Sequence, residues 1–316
     1  MKGIIISGTA RSGKSFLVEH IKENKLLITY KVDLLLIQSL RYKKPKNFNE
    51  LENILIKYAQ KTRYTDAKKK KTAVLFNGNI IKKVIDSIKF QRKKILPQYI
   101  IELIEKVTLK KNKWVAADLH VEMIFEELKK RNKNLFLIVL IRNPVESITA
   151  SLYWRDYPNI YNYSKKIFLY KLLYWKLTFY VATALERKFP DCVKIVQFNK
   201  LKKKRGEINF FNESFRLKES FYRKNFFDYD IKKGSFCPDY KWKKLLDEDD
   251  INFIKRMTGK KIECKKKILI FFVTISAKFL FLMAKINPIL SKKILDFCFF
   301  PLKIIRRIIF IKFLGR

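Results

Sequence analysis

"SGTARSGKS", Ser7 to Ser15, follows the apolar run Gly3-Ile4-Ile5-Ile6 and matches G-x-x-x-x-G-K-[ST] at every position. Glycines at 8 and 13 lack the Cβ that would keep an anion from the backbone, so the N–H groups of Gly8, Thr9, Ala10, Arg11, Ser12, Gly13, Lys14 and Ser15 can line a phosphate cradle. Phe16, Leu17, His20 and Ile21 then recur at helical spacing, and a helix starting there points the positive end of its dipole at the same place. The motif predicts a buried strand, an anion-binding turn and a helix. It leaves open which phosphate is held.

Working outward, further short apolar runs read as central parallel strands: Trp114 to Ala117, Leu135 to Ile141 and Val193 to Phe198. Helical patterns at Glu122 to Lys130 and Val145 to Trp154 alternate with them, which predicts an α/β fold of three layers, α/β/α, with a central parallel sheet and a P-loop-like opening. Residues 45 to 112 read as mostly helical, with lysine-rich joints at 68 to 71 and 110 to 113. No repeat or Gly/Ser linker divides the chain.

The 316 residues can bury a sizeable core. With 70 Lys+Arg against 29 Asp+Glu the formal charge is +41, a field that draws polyanions without choosing among nucleic acid, acidic lipid and acidic glycan. No zinc-finger spacing, basic heptad or aromatic RNA-binding pattern is present, so no specific nucleic-acid partner is expected. The four cysteines, Cys192, Cys237, Cys264 and Cys298, are scattered, and with two histidines they make no familiar metal set. A reduced, metal-free protein is expected. Met1-Lys2 leads straight into the first strand with no secretory pattern, which predicts a cytoplasmic location.

From Lys265 the character changes, and we divide the chain into a nucleotide-binding catalytic domain, 1–262, and a basic, apolar helical tail, 263–316. The last 52 residues carry 12 Lys/Arg and one acid, Asp296, among large apolar side chains. Ile268 to Ala277 is uncharged but Lys278 ends the run, which is short for a membrane span. Pro288 and Pro301 then break the remainder. Lys303, Arg306 and Arg307 fall near one face of the final piece while Ile304, Ile305, Ile308, Ile309 and Ile311 fill the rest. This pattern predicts peripheral association with the anionic inner face of a membrane.

The run Leu135 to Ile141 ends in Arg142-Asn143-Pro144. Pro144 suits a first helical position and Asn143 can cap it, so Arg142 is delivered to the carboxyl edge of the sheet, where a guanidinium can grip a phosphate through two parallel hydrogen bonds. Together these blocks resemble the cytosolic-type sulfotransferases that use 3'-phosphoadenosine 5'-phosphosulfate (PAPS). "ARSGKSF" is similar to that family's P-[KR]-S-G-T-[TS] loop, with Arg11 in the basic place, and "LIRNPVESITASLYWR" to its R-[DN]-P strand end and following serine. "ADLHVEMI" puts His120 22 residues before Arg142, the separation of the family's catalytic histidine from its arginine. "VKIVQFNKL" resembles a further family strand with Asn199 in place of its glutamate, and "IKKGSFCPDYKWKKLLDEDDINFI" resembles the closing R-K-G loop. The blocks run from residue 3 to about 258 and omit most of 22 to 112. Asp118 stands where the family has lysine, and Ala150 where it has serine, leaving Thr149 or Ser151 for that role.

The resemblance implies sulfuryl transfer from PAPS to a hydroxyl or amine of a glycan or lipid-linked acceptor, without a metal. In that scheme the loop and Arg11 hold the 5'-phosphosulfate and Lys14 neutralises charge on the bridging oxygen. Arg142, Ser151 and the loop Lys232-Lys233-Gly234 hold the 3'-phosphate, and His120 takes the acceptor's proton. Two other readings remain. Lys14-Ser15 is a complete Walker A ending and Trp114 to Asp118 resembles the strand and acid that complete a Mg-ATP site, as in a P-loop kinase or NTPase. A non-catalytic, membrane-associated adaptor could keep the nucleotide-binding shell alone.

Overall fold

A computed structural model of the chain describes residues 3–9, 12–14, 17–18, 27–30, 34–40, 44–66, 71–108, 113–152, 164–198 and 246–298. The chain divides into two units. The first takes Met1–Gly8, Ser12–Ile141 and Leu185–Tyr229, the second Thr9–Arg11, Arg142–Ala184 and Asp230–Arg316.

The first unit holds a seven-stranded sheet. Its strands are β1 (Gly3–Ser7), β2 (Leu27–Tyr30), β3 (Arg63–Asp66), β4 (Lys71–Val74), β5 (Lys113–Ala117), β6 (Leu135–Ile141) and β7 (Val193–Gln197), in the order β4-β3-β2-β5-β1-β6-β7. The five strands β2, β5, β1, β6 and β7 are parallel. The opening strand β1 lies near the centre, with Ile4 opposite Val115 on one side and Phe136 on the other. Ile4, Ile5 and Ile6 are fully buried, as are Trp114, Val115 and Ala116. A parallel strand is covered on both faces, which is why β1, β5 and β6 read in sequence as unbroken apolar runs.

Helices flank this sheet, giving a mixed α/β fold consistent with three layers. Those wholly in the first unit are α1 (Leu36–Ser39), α2 (Phe48–Lys61), α3 (Gly78–Asp86), α4 (Leu96–Val107) and α5 (Phe125–Arg131). Periodicity accounts for them: Leu51, Leu55 and Ala59 form the buried stripe of α2, and Ile81 and Ile85 that of α3. The expectation that residues 45 to 112 are mostly helical needs one correction. Strands β3 and β4 form an antiparallel hairpin within it, pairing Tyr64 with Ala73 and extending the sheet beyond β2. At four residues each and rich in polar side chains, these strands carry too little alternation to be seen, and lysine-bearing short strands are what a sheet edge tolerates.

The second unit contains α6 (Pro144–Leu152), most of α7 (Ser164–Lys188), and α8 (Glu248–Met257), α9 (Lys267–Ile286) and α10 (Pro288–Cys298). The rings of Phe168 on α7 and Phe253 on α8 meet at 5.9 Å. Lys278 does not interrupt α9, which runs unbroken for 20 residues. A single lysine has good helix propensity and keeps its ammonium in water when its position faces out. Pro288 does act as a break: α9 ends before it, and Asn287 caps α10 by accepting from the backbone N–H groups of Ile289 and Leu290. The basic face expected at 303 to 311 lies outside the described residues.

Candidate functional site

The turn after β1 has the backbone the motif demands. Gly8 has φ 128° and Gly13 φ 99°, values closed to side chains with a Cβ. A Cβ on Gly8 would stand 2.4 Å from the Leu140 carbonyl oxygen, and one on Gly13 would stand 2.5 Å from the Phe198 ring. Lys14, Leu17 and Val18 are helical, so the helix begins where predicted. The Lys14 ammonium is buried and folds back across the turn, donating to the Gly8 carbonyl at 3.2 Å and reaching the Ser12 hydroxyl at 3.5 Å. It is thereby held inside the loop that a phosphate would occupy. Ala10, Arg11 and Ser15 lie outside the described residues.

Ser7, the last residue of β1, ties this loop to the predicted base. Its hydroxyl accepts from the Val121 N–H at 2.8 Å and donates to Oε2 of Glu122 at 2.5 Å. Oε1 of Glu122 lies 3.5 Å from Nδ1 of His120. Burial alone would push the Glu122 carboxyl up. Hydrogen bonding and attraction to His120, with further help from Ser7 and its own backbone, outweigh that and hold it below its ordinary value. The carboxylate stands on the Nδ1 side of the ring, the relation by which an acid orients an imidazole. His120 itself sits at φ 60°, in the left-handed region. Histidine is among the residues that tolerate it, at a cost of about 1 kcal/mol or more, and such outliers concentrate at functional positions.

Asp118, at the end of β5, is buried beside these groups. Its Oδ2 accepts from the Leu36 N–H at 2.9 Å and its Oδ1 from its neighbour Leu119 at 2.7 Å. Leu35, with φ 57°, is the other non-glycine residue in the left-handed region among those described, and the N–H of its neighbour Leu36 donates to the carboxylate. The Asp118 charge is thus taken up by backbone donors at the sheet's carboxyl edge.

In the second unit, Asn143 caps α6 as predicted, its side chain accepting from the Val145 N–H at 2.9 Å. Arg142 is buried, its carbonyl accepts from the Trp175 indole at 3.2 Å, and its Nε donates to Glu146 at 2.8 Å. The spacing of four residues from Arg142 to Glu146 is the sequence signal for that pair. The hydroxyl of Thr9 is 3.3 Å from that of Ser147, which brings the residue after Gly8 against the first turn of α6. Thr149 is buried and donates to the Val145 carbonyl, so its proton is committed within the helix. The side chain of Ser151, and all of Lys232, Lys233 and Gly234, lie outside the described residues.

Three groups here escape a reading of the sequence alone. Glu122 had a signal, two residues from His120, but only the tight turn Val121–Met123 brings its carboxylate against both Ser7 and His120. Ser7 reads as the end of a strand, and Phe198 as core. Compared with known proteins, the chain matches no family model and no curated protein.

Proposed function

We propose that the protein is a PAPS-dependent sulfotransferase with a P-loop-like nucleotide site, passing a sulfuryl group to a hydroxyl or amine of a glycan or lipid-linked acceptor on the cytoplasmic side. The observation that carries this reading is the Ser7 hydroxyl, which joins the phosphate-type loop to the His120-Glu122 pair. The turn is thereby linked, through the Ser7 hydroxyl and the Glu122 carboxylate, to a group able to accept a proton. A transfer in which an acceptor hydroxyl attacks a loop-bound sulfuryl group needs both.

The chain's own residues have simple parts in this reaction. The loop N–H groups, Lys14 and Arg11 bind and neutralise the 5'-phosphosulfate. Lys14 exchanges the Gly8 carbonyl for the bridging oxygen as charge grows there. His120 removes the acceptor's proton at Nε2, and Glu122 stabilises the imidazolium that results. Arg142, Ser151 and the basic stretch Lys232-Lys233-Gly234 bind the 3'-phosphate, with Arg142 turning from Glu146 to do so.

The Mg-ATP alternative keeps the complete Lys14-Ser15 ending in its favour. It requires Asp118 to serve a metal, and both Asp118 oxygens already accept backbone N–H groups. Thermal melting separates the readings. A sulfotransferase gains stability from 3'-phosphoadenosine 5'-phosphate without Mg²⁺, by about 2.7 kcal/mol at a hundred times Kd, and less from adenosine 5'-phosphate. Stabilisation by ATP only with Mg²⁺, or equal affinity for nucleotides with and without the 3'-phosphate, refutes it. Binding with no transfer of labelled sulfate to acidic glycan or lipid-linked acceptors leaves the adaptor.

A further inference from the structure

On α9, Ile268, Phe271, Phe272, Ile275, Phe279, Leu282 and Ile286 are each between 48% and 75% exposed. At about 100° per residue they fall within an arc of about 100°, and from first to last the stripe is about 27 Å long. The opposite side of the helix is occupied. Val273, Ala277, Leu280 and Ala284 are buried, the Leu280 carbonyl accepts from the Ser291 hydroxyl of α10, and the Phe281 ring stacks on Tyr180 of α7 at 4.3 Å. These contacts fix which face of α9 looks outward.

Charge follows the same line. Lys267, Lys278 and Lys285 are exposed and fall within about 20° of one another, a row along one border of the apolar stripe. No Asp or Glu occurs between Lys267 and Ile286. Among the described residues α9 is the one helix long and apolar enough to cross a bilayer. Crossing would put the Lys278 charge near mid-depth and strip α10 from the buried face, whereas lying flat sets all three ammonium groups at one level.

We propose that α9 is a membrane-docking helix that lies in the plane of an anionic bilayer, with its seven apolar side chains among the acyl chains and its lysine row at the lipid phosphates. A straight apolar stripe of this length exceeds what a soluble monomer ordinarily exposes, and a one-sided row of cations without acids complements a negatively charged plane. The inference concerns the second unit and stands independently of the donor nucleotide.

The test uses the full chain and vesicles of phosphatidylcholine with or without phosphatidylglycerol. Parent protein binds the anionic vesicles. The triple change Lys267→Gln, Lys278→Gln, Lys285→Gln lowers that binding by about fivefold per lysine, on the order of a hundredfold in all, while Phe271→Ser, Phe272→Ser, Phe279→Ser abolishes stable binding at unchanged melting temperature. Undiminished binding by both variants overturns the proposal, since another basic surface is then responsible. A parent that is dimeric in solution and becomes monomeric with the serine changes also overturns it, the stripe being then an interface between copies. Tryptophan placed in turn at 268, 275 and 286 is quenched by brominated lipid at one common shallow depth, about 5–10 Å below the headgroups. A position 275 much deeper than the other two shows a spanning helix and refutes the in-plane placement.

Discussion

Replacing Gly13 by alanine tests the loop conformation and its packing together. At φ 99° a residue with a Cβ is strained, by about 1–2 kcal/mol on the scale of left-handed backbone. The new Cβ would also stand 2.5, 2.7 and 3.0 Å from three carbons of the Phe198 ring, so the ring must retreat by about 1 Å, an overpacking cost of about 1–3 kcal/mol. Together Gly13→Ala costs about 2–5 kcal/mol. Phe198→Ala alone removes a fully buried ring and costs about 3–5 kcal/mol. In that background Gly13→Ala retains only the backbone term, about 1–2 kcal/mol, because the obstacle is gone. Urea unfolding of the four proteins yields the coupling directly, and it equals the overpacking cost of about 1–3 kcal/mol. If Gly13→Ala costs the same in both backgrounds, the ring does not roof the loop. If it costs nothing in the parent, the loop does not have the conformation described.

Glu122→Gln probes the buried carboxylate through pH. A carboxyl held below its ordinary value of about 4.3 contributes stability that is fully present above that pH and is lost as pH falls through its folded-state value. The parent's advantage over Glu122→Gln in urea midpoint therefore shrinks on acidification from about pH 6 to below 4, and a difference that grows instead refutes the pairing. In turnover, Glu122→Gln lowers kcat by roughly 10²-fold or more with little change in nucleotide affinity, the signature of a group that acts through His120. Asp118→Ala leaves two N–H groups, those of Leu36 and Leu119, without their acceptor and costs about 2–5 kcal/mol, read by chemical unfolding. Loss of Mg-ATP binding at unchanged stability would assign Asp118 to a metal instead.

Much of the architecture is legible because parallel strands buried on both faces must be apolar throughout. Ile4 to Ile6, Trp114 to Ala117 and Leu135 to Ile141 announce themselves in this way, and Asn143-Pro144 marks a helix start by the chemistry of its cap. Strand β2 and the hairpin escape because four residues hold two alternations at most, and in the hairpin charged side chains mask even those. The loop was legible, because its two glycines are required by positive φ. The carboxylate facing His120 was not, because a left-handed residue at 120 followed by one tight turn obeys no period. Lys278 misled for another reason. A charge ends a hydropathy run but not a helix, and here it borders the apolar stripe.

One small group acquires a consequence from its address. The Ser7 hydroxyl belongs to the residue just before the first glycine of the loop and also grips the acid that faces His120. A tug on the opening peptide by an oxyanion bound as proposed would therefore reach the imidazole through two side chains, Ser7 and Glu122. In the proposed reaction, readiness to deprotonate an acceptor would then be switched by occupancy of the donor cradle, and an enzyme wired so would hold its base idle until there is something to transfer.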